Sequence, residues 1–259
     1  MINFFSKIKK IPYKLSLKAN VGFCPICEKK TLFIKHDPWL RDHYHCMFCK
    51  SIPRQRAIVN ALNIFYPDWL AMTIHESSPG GVSSDYIRKK CKNYSSSYFF
   101  PDILPGSYHN GARCENLEKM SFENEVFDIF ITQDVFEHVI HPDIAFGEIA
   151  RVLKPGGLHI FTIPLYRNLQ VTRPRIVEKE GEIQHLLEPV YHGNPISSEG
   201  SLVTFDYGMD FTELISRSSG MNTTIYLQKD PKMGLDAEFL EVFISQKKLC
   251  GDPFKLNPN

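Results

Sequence analysis

Apolar positions along the chain fall into two regimes. Between residues 21 and 57 they are sparse, and short runs at 31–34 and 42–45 read as the strands of a small hairpin. Ala57, Ile58, Ala61, Leu62 and Phe65 then repeat at helical spacing. Beyond residue 69 the runs lengthen: 69–74, 94–100, a short one before Glu115, 126–132 and 158–164 read as buried strands. Helical signals alternate with them, through Tyr86, Ile87 and Lys90, and again where Ile144, Ala145, Ile149, Ala150 and Leu153 share one face of 142–153. Strands joined by crossover helices imply a parallel α/β sheet with ligands at its carboxyl edge.

Length and charge refine this division. The 259 residues suffice for one α/β domain and a small appendage, and a composition of 43% hydrophobic and 23% charged residues is that of an ordinary globular protein. No apolar run approaches the ~18 residues of a membrane span. The net charge of +1 hides an asymmetry, since residues 1–60 hold 12 Lys/Arg against 3 Asp/Glu and the remainder holds 18 against 26. The first twenty residues carry five lysines and no acid, with Phe4, Phe5, Ile8 and Ile11 available for an apolar side, and they lack the apolar core of a secretory signal. Two readings stand: an arm resting on an anionic membrane surface or a phosphate-bearing carrier, or a solvated terminus. The expected organisation is a basic arm at 1–20, a metal module at 21–57, a main domain at 58–249 and a tail at 250–259.

Four of the seven cysteines form two tight pairs, Cys24/Cys27 and Cys46/Cys49, separated by 18 residues. A two-residue gap lets both sulfurs of a pair face one ion, and four thiolates leave no open position, so the spacing predicts a structural Zn²⁺ ribbon rather than a disulfide framework. Such a module cannot fold without its ion. This cysteine usage places the chain in a reducing, cytoplasmic compartment, with the basic arm as a route to the inner face of the membrane. Ser51-Ile-Pro-Arg-Gln-Arg56 follows; Arg54 and Arg56 are read either as anion ligands or as charges packing the ribbon onto the next domain.

Residues 116–164, NLEKMSFENEVFDIFITQDVFEHVIHPDIAFGEIARVLKPGGLHIFTIP, resemble the core of class I S-adenosylmethionine-dependent methyltransferases, in which strand 4 ends in an EHV-type motif and strand 5 begins with LKPGG. The preceding cysteine pairs and S-I-P-R-Q-R-A are similar to a subset of bacterial methyltransferases with an N-terminal cysteine-rich module. The resemblance implies a Rossmann-like seven-stranded sheet with a small N-terminal zinc ribbon, 221–227 and 239–245 being its last strands and the final one antiparallel. It also implies a cofactor site. Glu76 stands for the acid after strand 1, and Ser77, Ser78 and Gly80 for the glycine-rich turn, which departs from the family pattern. Tyr98 or Asp102 would meet the ribose, Asn116 and Leu117 the adenine, and Gln133, Asp134, Glu137 and His138 would lie at the end of strand 4 beside the methyl group.

With the methyl group carried by a good leaving group, the protein must align a nucleophile and remove its proton where that is a hydroxyl. The roughly 35-residue excursion after strand 5 is rich in polar rings and reads as an acceptor lid, giving Tyr166, Arg167, Tyr191, His192 and Asn194 as substrate candidates. His192 and His185 are the candidate bases, because a neutral imidazole accepts a proton near pH 7, and Asp134 is an orienting group or a helix cap. The leading reading is methyl transfer to a small molecule or glycan, as O-methylation in cell-surface polysaccharide biosynthesis. Against it stand an RNA methyltransferase using the zinc module for delivery, ranked lower because the main domain is acidic, and a zinc-scaffolded interaction protein with a relic cofactor pocket.

Overall fold

The computed structural model describes residues 18–194 and 196–249. Most of the basic arm and the 250–259 tail therefore lie outside the described residues.

Three antiparallel strands, β1 (Lys18–Cys24), β2 (Lys29–Lys35) and β3 (Tyr44–Cys46), form the first unit. The pattern at 42–45 predicts strand, but a helical turn, α1 (Leu40–His43), occupies its first half. Asp37 accepts the Trp39 backbone N–H at 2.8 Å and Asp42 accepts the Trp39 indole N–H at 2.9 Å, which turns the chain before β3 can begin. The unit is too small to bury its own apolar face, so it docks. A Cβ at Gly22 would lie 1.9 Å from the Lys232 carbonyl oxygen, and only glycine permits that approach.

Helix α2 (Pro53–Phe65) joins the unit to the rest. Proline starts it without wasting a donor, and the Gln55 side chain accepts the Ile52 N–H at 3.2 Å. Ala57, Ile58, Val59, Ala61 and Leu62 are buried along it. The run at 69–74 is not one strand: a 3-10 turn (Pro67–Ala71) buries Trp69, whose indole N–H reaches Asn63 at 3.0 Å, and β4 (Thr73–Ser77) starts after it.

The main sheet then builds outward through α3 (Gly81–Lys90), β5 (Asn93–Tyr98), β6 (Tyr108–His109), β7 (Ala112–Cys114), β8 (Phe127–Gln133), α4 (Pro142–Val152) and β9 (Leu153–Thr162). Three short ladders follow in the region 163–210. They are the β11 (Ile176–Lys179)/β12 (Glu182–His185) hairpin, the β13 (Tyr191–Asn194)/β14 (Ser197–Leu202) hairpin, and the pair of β10 (Arg173–Pro174) with β15 (Phe205–Asp206). The chain closes through α5 (Phe211–Ser219), β16 (Asn222–Tyr226) and β17 (Val242–Gln246).

The strand order is β16-β17-β9-β8-β4-β5-β7-β6, with β9, β8, β4, β5 and β7 parallel and β17 antiparallel between β9 and β16. This is the expected Rossmann-like seven-stranded sheet, extended by the two-residue β6 into an eighth strand. One face packs Ile74, Ile129, Ile131 and Ile160 against α2 and α3. The other packs Phe130, Phe146, Phe161, Phe211 and Phe243 beneath α4 and α5. Both connections leave the carboxyl ends of β4, β5 and β8 pointing to one edge, where the ladders of 163–210 are folded back. Asp206 holds them by accepting Arg175 at 3.0 Å, and Thr204 donates its backbone N–H to the Glu137 carbonyl at 2.7 Å.

Candidate active site and metal centre

The four paired cysteines converge. Cys24 and Cys49 sulfurs are 3.6 Å apart, Cys27 and Cys46 3.8 Å, and all four lie within 4.8 Å of one another. Zinc–thiolate bonds of about 2.3 Å in a tetrahedron place sulfurs about 3.8 Å apart, so this set fits a single ion. The hydrogen bond with Cys24 pulls the Cys49 thiol down to about 4, while burial and the neighbouring Cys49 and Cys46 push Cys27 up to about 11. Crowded sulfurs that cannot all ionise together are what a cation would relieve. His36, His43 and His45 pack on one another, ring against ring, outside this group.

Successive residues at the start of α2 reach three different places. Arg56 is fully buried, donating to the carbonyls of Tyr44 (2.9 Å) and Gly234 (2.8 Å) and stacking on Phe33 at 4.6 Å; burial lowers its pKa to about 10. Gln55 touches the turn after β4, since a Cβ at Gly81 would meet its amide at 2.1 Å. Arg54 points the other way, to Asp134 at 3.0 Å. The two readings of the arginines therefore separate: Arg56 packs the ribbon, and Arg54 belongs to the site.

Asp134 follows β8 with φ at +52°, a left-handed conformation that costs a non-glycine residue of order 1 kcal/mol and clusters at functional positions. Its carboxylate does not cap the next turn. It accepts from Arg41 at 2.7 Å and Thr162 at 2.9 Å besides pairing with Arg54. Burial pushes the carboxyl up, but the two guanidinium groups outweigh it and bring it to about 2. Burial likewise opposes the charge of Arg41, and Asp134, then Glu137 and Asp42, more than restore it. Arg41 comes from α1, so the ribbon module contributes directly to the carboxyl edge of the sheet.

A cavity of about 560 Å³ opens there, walled by Trp39, Arg41, Arg54 and Phe239 on one side and by Asp134, His138, Tyr166 and His192 on the other. Tyr166 and Trp39 both meet the Phe239 ring edge-on, at 5.3 and 6.0 Å. His192 is brought in by β13, its ring perpendicular to that of His138 at 5.2 Å. The other lid candidates lie elsewhere. His185 is exposed on β12, Tyr191 faces solvent, Arg167 pairs with Glu241, and the Asn194 side chain accepts the Ile196 N–H within its own turn.

The cofactor candidates divide into supports and surfaces. Glu76 is wholly buried, its carboxylate taken by Ser84, Gln133 and Tyr94 at 2.7 Å each, and Gln133 also receives the Ser83 hydroxyl. These residues hold the turn; they do not face outward from it. Tyr98 ends β5 and donates to the Pro79 carbonyl at 2.9 Å, while Asp102 lies exposed beyond the strand. Ser77 is buried and Ser78 takes φ of +54°, putting its backbone at the sheet edge. Gly80 is open: a Cβ there would meet nothing within 4 Å. Asn116 closes its turn by accepting the Glu118 N–H at 2.9 Å, and Leu117 is buried beside it. An open glycine turn after the first parallel strand, with Asn116 and Leu117 following β7, fits a nucleoside-bearing cofactor laid across the strand ends.

Sequence reasoning passed over Arg41, Trp39 and Phe239 as site residues. Arg41 and Asp134 are separated by 93 positions, and no local pattern signals the pair. Glu137 was visible beside His138, yet its isolation inside the fold is a tertiary fact.

Residues 84–161 match the methyltransferase domain family. A ubiquinone biosynthesis O-methyltransferase from Chelativorans sp. is 35% identical over 68 residues, 26% of either chain. A 37.1 kDa protein in transposon TN4556 of Streptomyces fradiae is 22% identical over 148 residues, 54% of this chain and 43% of that one. The chain thus spans less than half the length of these curated relatives. Among solved structures, an S-adenosylmethionine-dependent methyltransferase from Mesorhizobium loti aligns with TM-score 0.47 at 15% identity, over 74% of this chain and 98% of that one. The segment that matches the methyltransferase domain family runs from α3 to β9, through the parallel strands β5, β7, β8 and β9 of the Rossmann-like sheet.

Proposed function

We propose that this chain methylates a small, oxygen-bearing acceptor held between the ribbon module and the sheet, using S-adenosylmethionine bound across the ends of β4, β5 and β7. The observation that carries the reading is the position of the cavity: it meets the carboxyl end of β8 at Asp134 and His138, the edge at which a class I sheet presents its methyl donor. The cofactor supplies a methyl group on a sulfonium leaving group. Ser78, Gly80, Asn116 and Leu117 bind and orient it. Tyr98, Glu76 and Gln133 keep the β4 turn in shape, and the lid of 163–210 brings His192 to the cavity wall.

On the acceptor side, Trp39, Tyr166 and Phe239 offer flat apolar walls suited to a sugar or aromatic ring, and one end is polar, where Arg41 and Arg54 pair with Asp134. A volume of about 560 Å³ suits a small molecule or the terminal unit of a glycan. The histidines at its mouth favour a hydroxyl acceptor, and surface-polysaccharide biosynthesis is the setting we infer for it. The RNA reading loses support because the three arginines of the module are turned inward, two to Asp134 and one to the ribbon contacts, leaving them unavailable to phosphates. A structural Zn²⁺ on Cys24, Cys27, Cys46 and Cys49 holds the module in place. No helix among the described residues is long and apolar enough to cross a membrane, and contact of the basic arm with an anionic surface stays part of the proposal.

Calorimetry with S-adenosylhomocysteine on the purified chain tests the central claim. Micromolar binding is the expected result; the absence of both heat and any ligand-induced melting shift would favour the relic-pocket reading instead.

A further inference from the structure

Glu137 presents a problem that methyl transfer alone does not solve. Its side chain is 2% exposed, yet neither carboxylate oxygen has a hydrogen-bond partner. A buried carboxylate is stable only with a partner, so one with both oxygens unpartnered calls for a group from outside the chain. Its surroundings are specific. The backbone carbonyl of Glu137 is fixed by the Thr204 N–H at 2.7 Å and the Thr204 hydroxyl at 3.0 Å, and its carboxylate lies just behind the cavity wall formed by His138 and His192. The neighbouring His138 uses Nδ1 on the Leu202 carbonyl at 2.8 Å; that bond makes Nδ1 the protonated nitrogen and leaves Nε2 with its lone pair free. From the lid, His192 brings Nδ1 to 3.8 Å from the Glu137 carboxylate. One donor atom from each of the three lies within 4.8 Å of the others.

We infer that Glu137, His138 and His192 bind a divalent transition-metal ion at the mouth of the acceptor cavity, separate from the four-cysteine centre. Two imidazoles and one carboxylate are a nitrogen/oxygen set suited to zinc, cobalt, iron or manganese, and three protein ligands leave positions open, as in catalytic rather than structural sites. Bonds of about 2.1 Å require donor atoms about 3.4 Å apart, so the lid needs to close on the ion by only about 1 Å. The Leu202 carbonyl behind His138 is the outer partner that ligating histidines usually have. Asp134 does not join them, because its oxygens are occupied by Arg41, Arg54 and Thr162. Arg41 offsets part of the Glu137 charge from a distance without a hydrogen bond to it, and the ion completes that compensation.

The site deepens the proposed function and rests on it for its role. His138 and His192 both line the cavity, so an ion held by them takes an acceptor that ligates through oxygen, such as a hydroxyl beside a second oxygen, which on binding the ion releases its proton to solvent. His192 is then a metal ligand that the lid delivers, and its position relative to Glu137 follows from that role.

Cobalt substitution distinguishes the two metal sites. Full-length protein loaded with Co²⁺ under reducing conditions is expected to show intense thiolate charge-transfer bands from the cysteine centre. Weak visible bands of nitrogen/oxygen ligation should accompany them, with two ions bound per chain. His192→Ala, on the solvent-exposed lid, should remove only the second set and lower that affinity at least tenfold; Glu137→Gln, which keeps the shape of the side chain, should do the same. His185→Ala should change neither set. Thiolate bands alone at millimolar cobalt, or nitrogen/oxygen bands that persist unchanged in His192→Ala, would overturn the assignment. S-adenosylhomocysteine binding is measured on the same samples. Retained binding without the second metal rejects this inference alone, whereas a second metal without that binding rejects the methyltransferase reading and leaves the metal site standing.

Discussion

Single residues do most to define the cavity, and three of them make opposite predictions for folding and binding. Gly80 has no neighbour within 4 Å of a would-be Cβ, so Gly80→Val should leave the unfolding midpoint in urea unchanged while abolishing S-adenosylhomocysteine binding in calorimetry. Equal affinity in the variant would place the cofactor elsewhere. Gly81 differs by one position and reverses the outcome: with φ at +73° and the Gln55 amide at 2.1 Å, Gly81→Ala should lower stability by about 1–2 kcal/mol. Arg41 is predicted to matter for both. Truncating Arg41→Ala leaves Asp134 buried with one guanidinium fewer, which should cost about 2–3 kcal/mol in denaturant unfolding, close to the range for one partner of a buried pair. A loss below a few tenths would mean that Arg54 alone satisfies the carboxylate.

At the scale of elements, legibility followed the range of the interactions. β8, α4 and β9 were readable because each is fixed by its own apolar run or helical face, and the cysteine pairs because local spacing sets their geometry. The apolar run at 69–74 predicts a strand that begins earlier than β4 does, since Trp69 resembles a strand residue in sequence, whereas its ring is captured by α2 and the chain coils in a 3-10 turn to allow this. The polar rings of 163–210 announced a lid, but which histidine entered the site depended on the pairing of β13 with β14. The sheet itself carries a pH prediction. His75 in β4 lies between Ser95 and Ser97 at 2.9 and 3.0 Å, and His159 in β9 meets Thr132 at 3.0 Å; both rings are buried. Burial lowers His75 to about 3 and His159 well below its ordinary value, so the folded chain keeps both neutral where the unfolded chain protonates them. Stability is therefore complete above the unfolded pKa of about 6.5 and falls as pH drops toward 3, by up to about 1.4 kcal/mol per pH unit for each ring. Urea titrations at successive pH values check the slope, and His75→Gln should remove about half of it. A flat profile between pH 6 and 4 would show that the rings become charged without unfolding.

For the whole molecule, the ribbon is a structural part of the cavity and not an independent attachment. Arg56 bonds to Tyr44 in the ribbon and to Gly234 in the main domain, Gly22 admits the Lys232 carbonyl, and Arg41 and Trp39 extend from the module to Asp134 and Phe239. A ribbon of three short strands has no core of its own, so on the proposed Zn²⁺ site its fold depends on the ion. Stripping that metal with a chelator in reducing buffer should release the module and open the acceptor wall. The cofactor turn belongs to the sheet and should survive. The two tryptophans report this directly, because Trp39 packs on Phe239 at the cavity whereas Trp69 is 1% exposed beneath α2. Chelation should therefore shift Trp39 emission to the red and leave that of Trp69 in place, with S-adenosylhomocysteine affinity changed by no more than a few-fold. A Trp69→Phe variant isolates the first signal and a Trp39→Phe variant the second. Zinc added back should restore the Trp39 emission, and Cys24→Ser should prevent recovery. If Trp39 emission is indifferent to the metal, the module reaches the sheet through contacts that need no ion. If the affinity for S-adenosylhomocysteine collapses along with the ribbon, the Gln55 contact with the Gly81 turn carries far more of the cofactor site than its single side chain suggests.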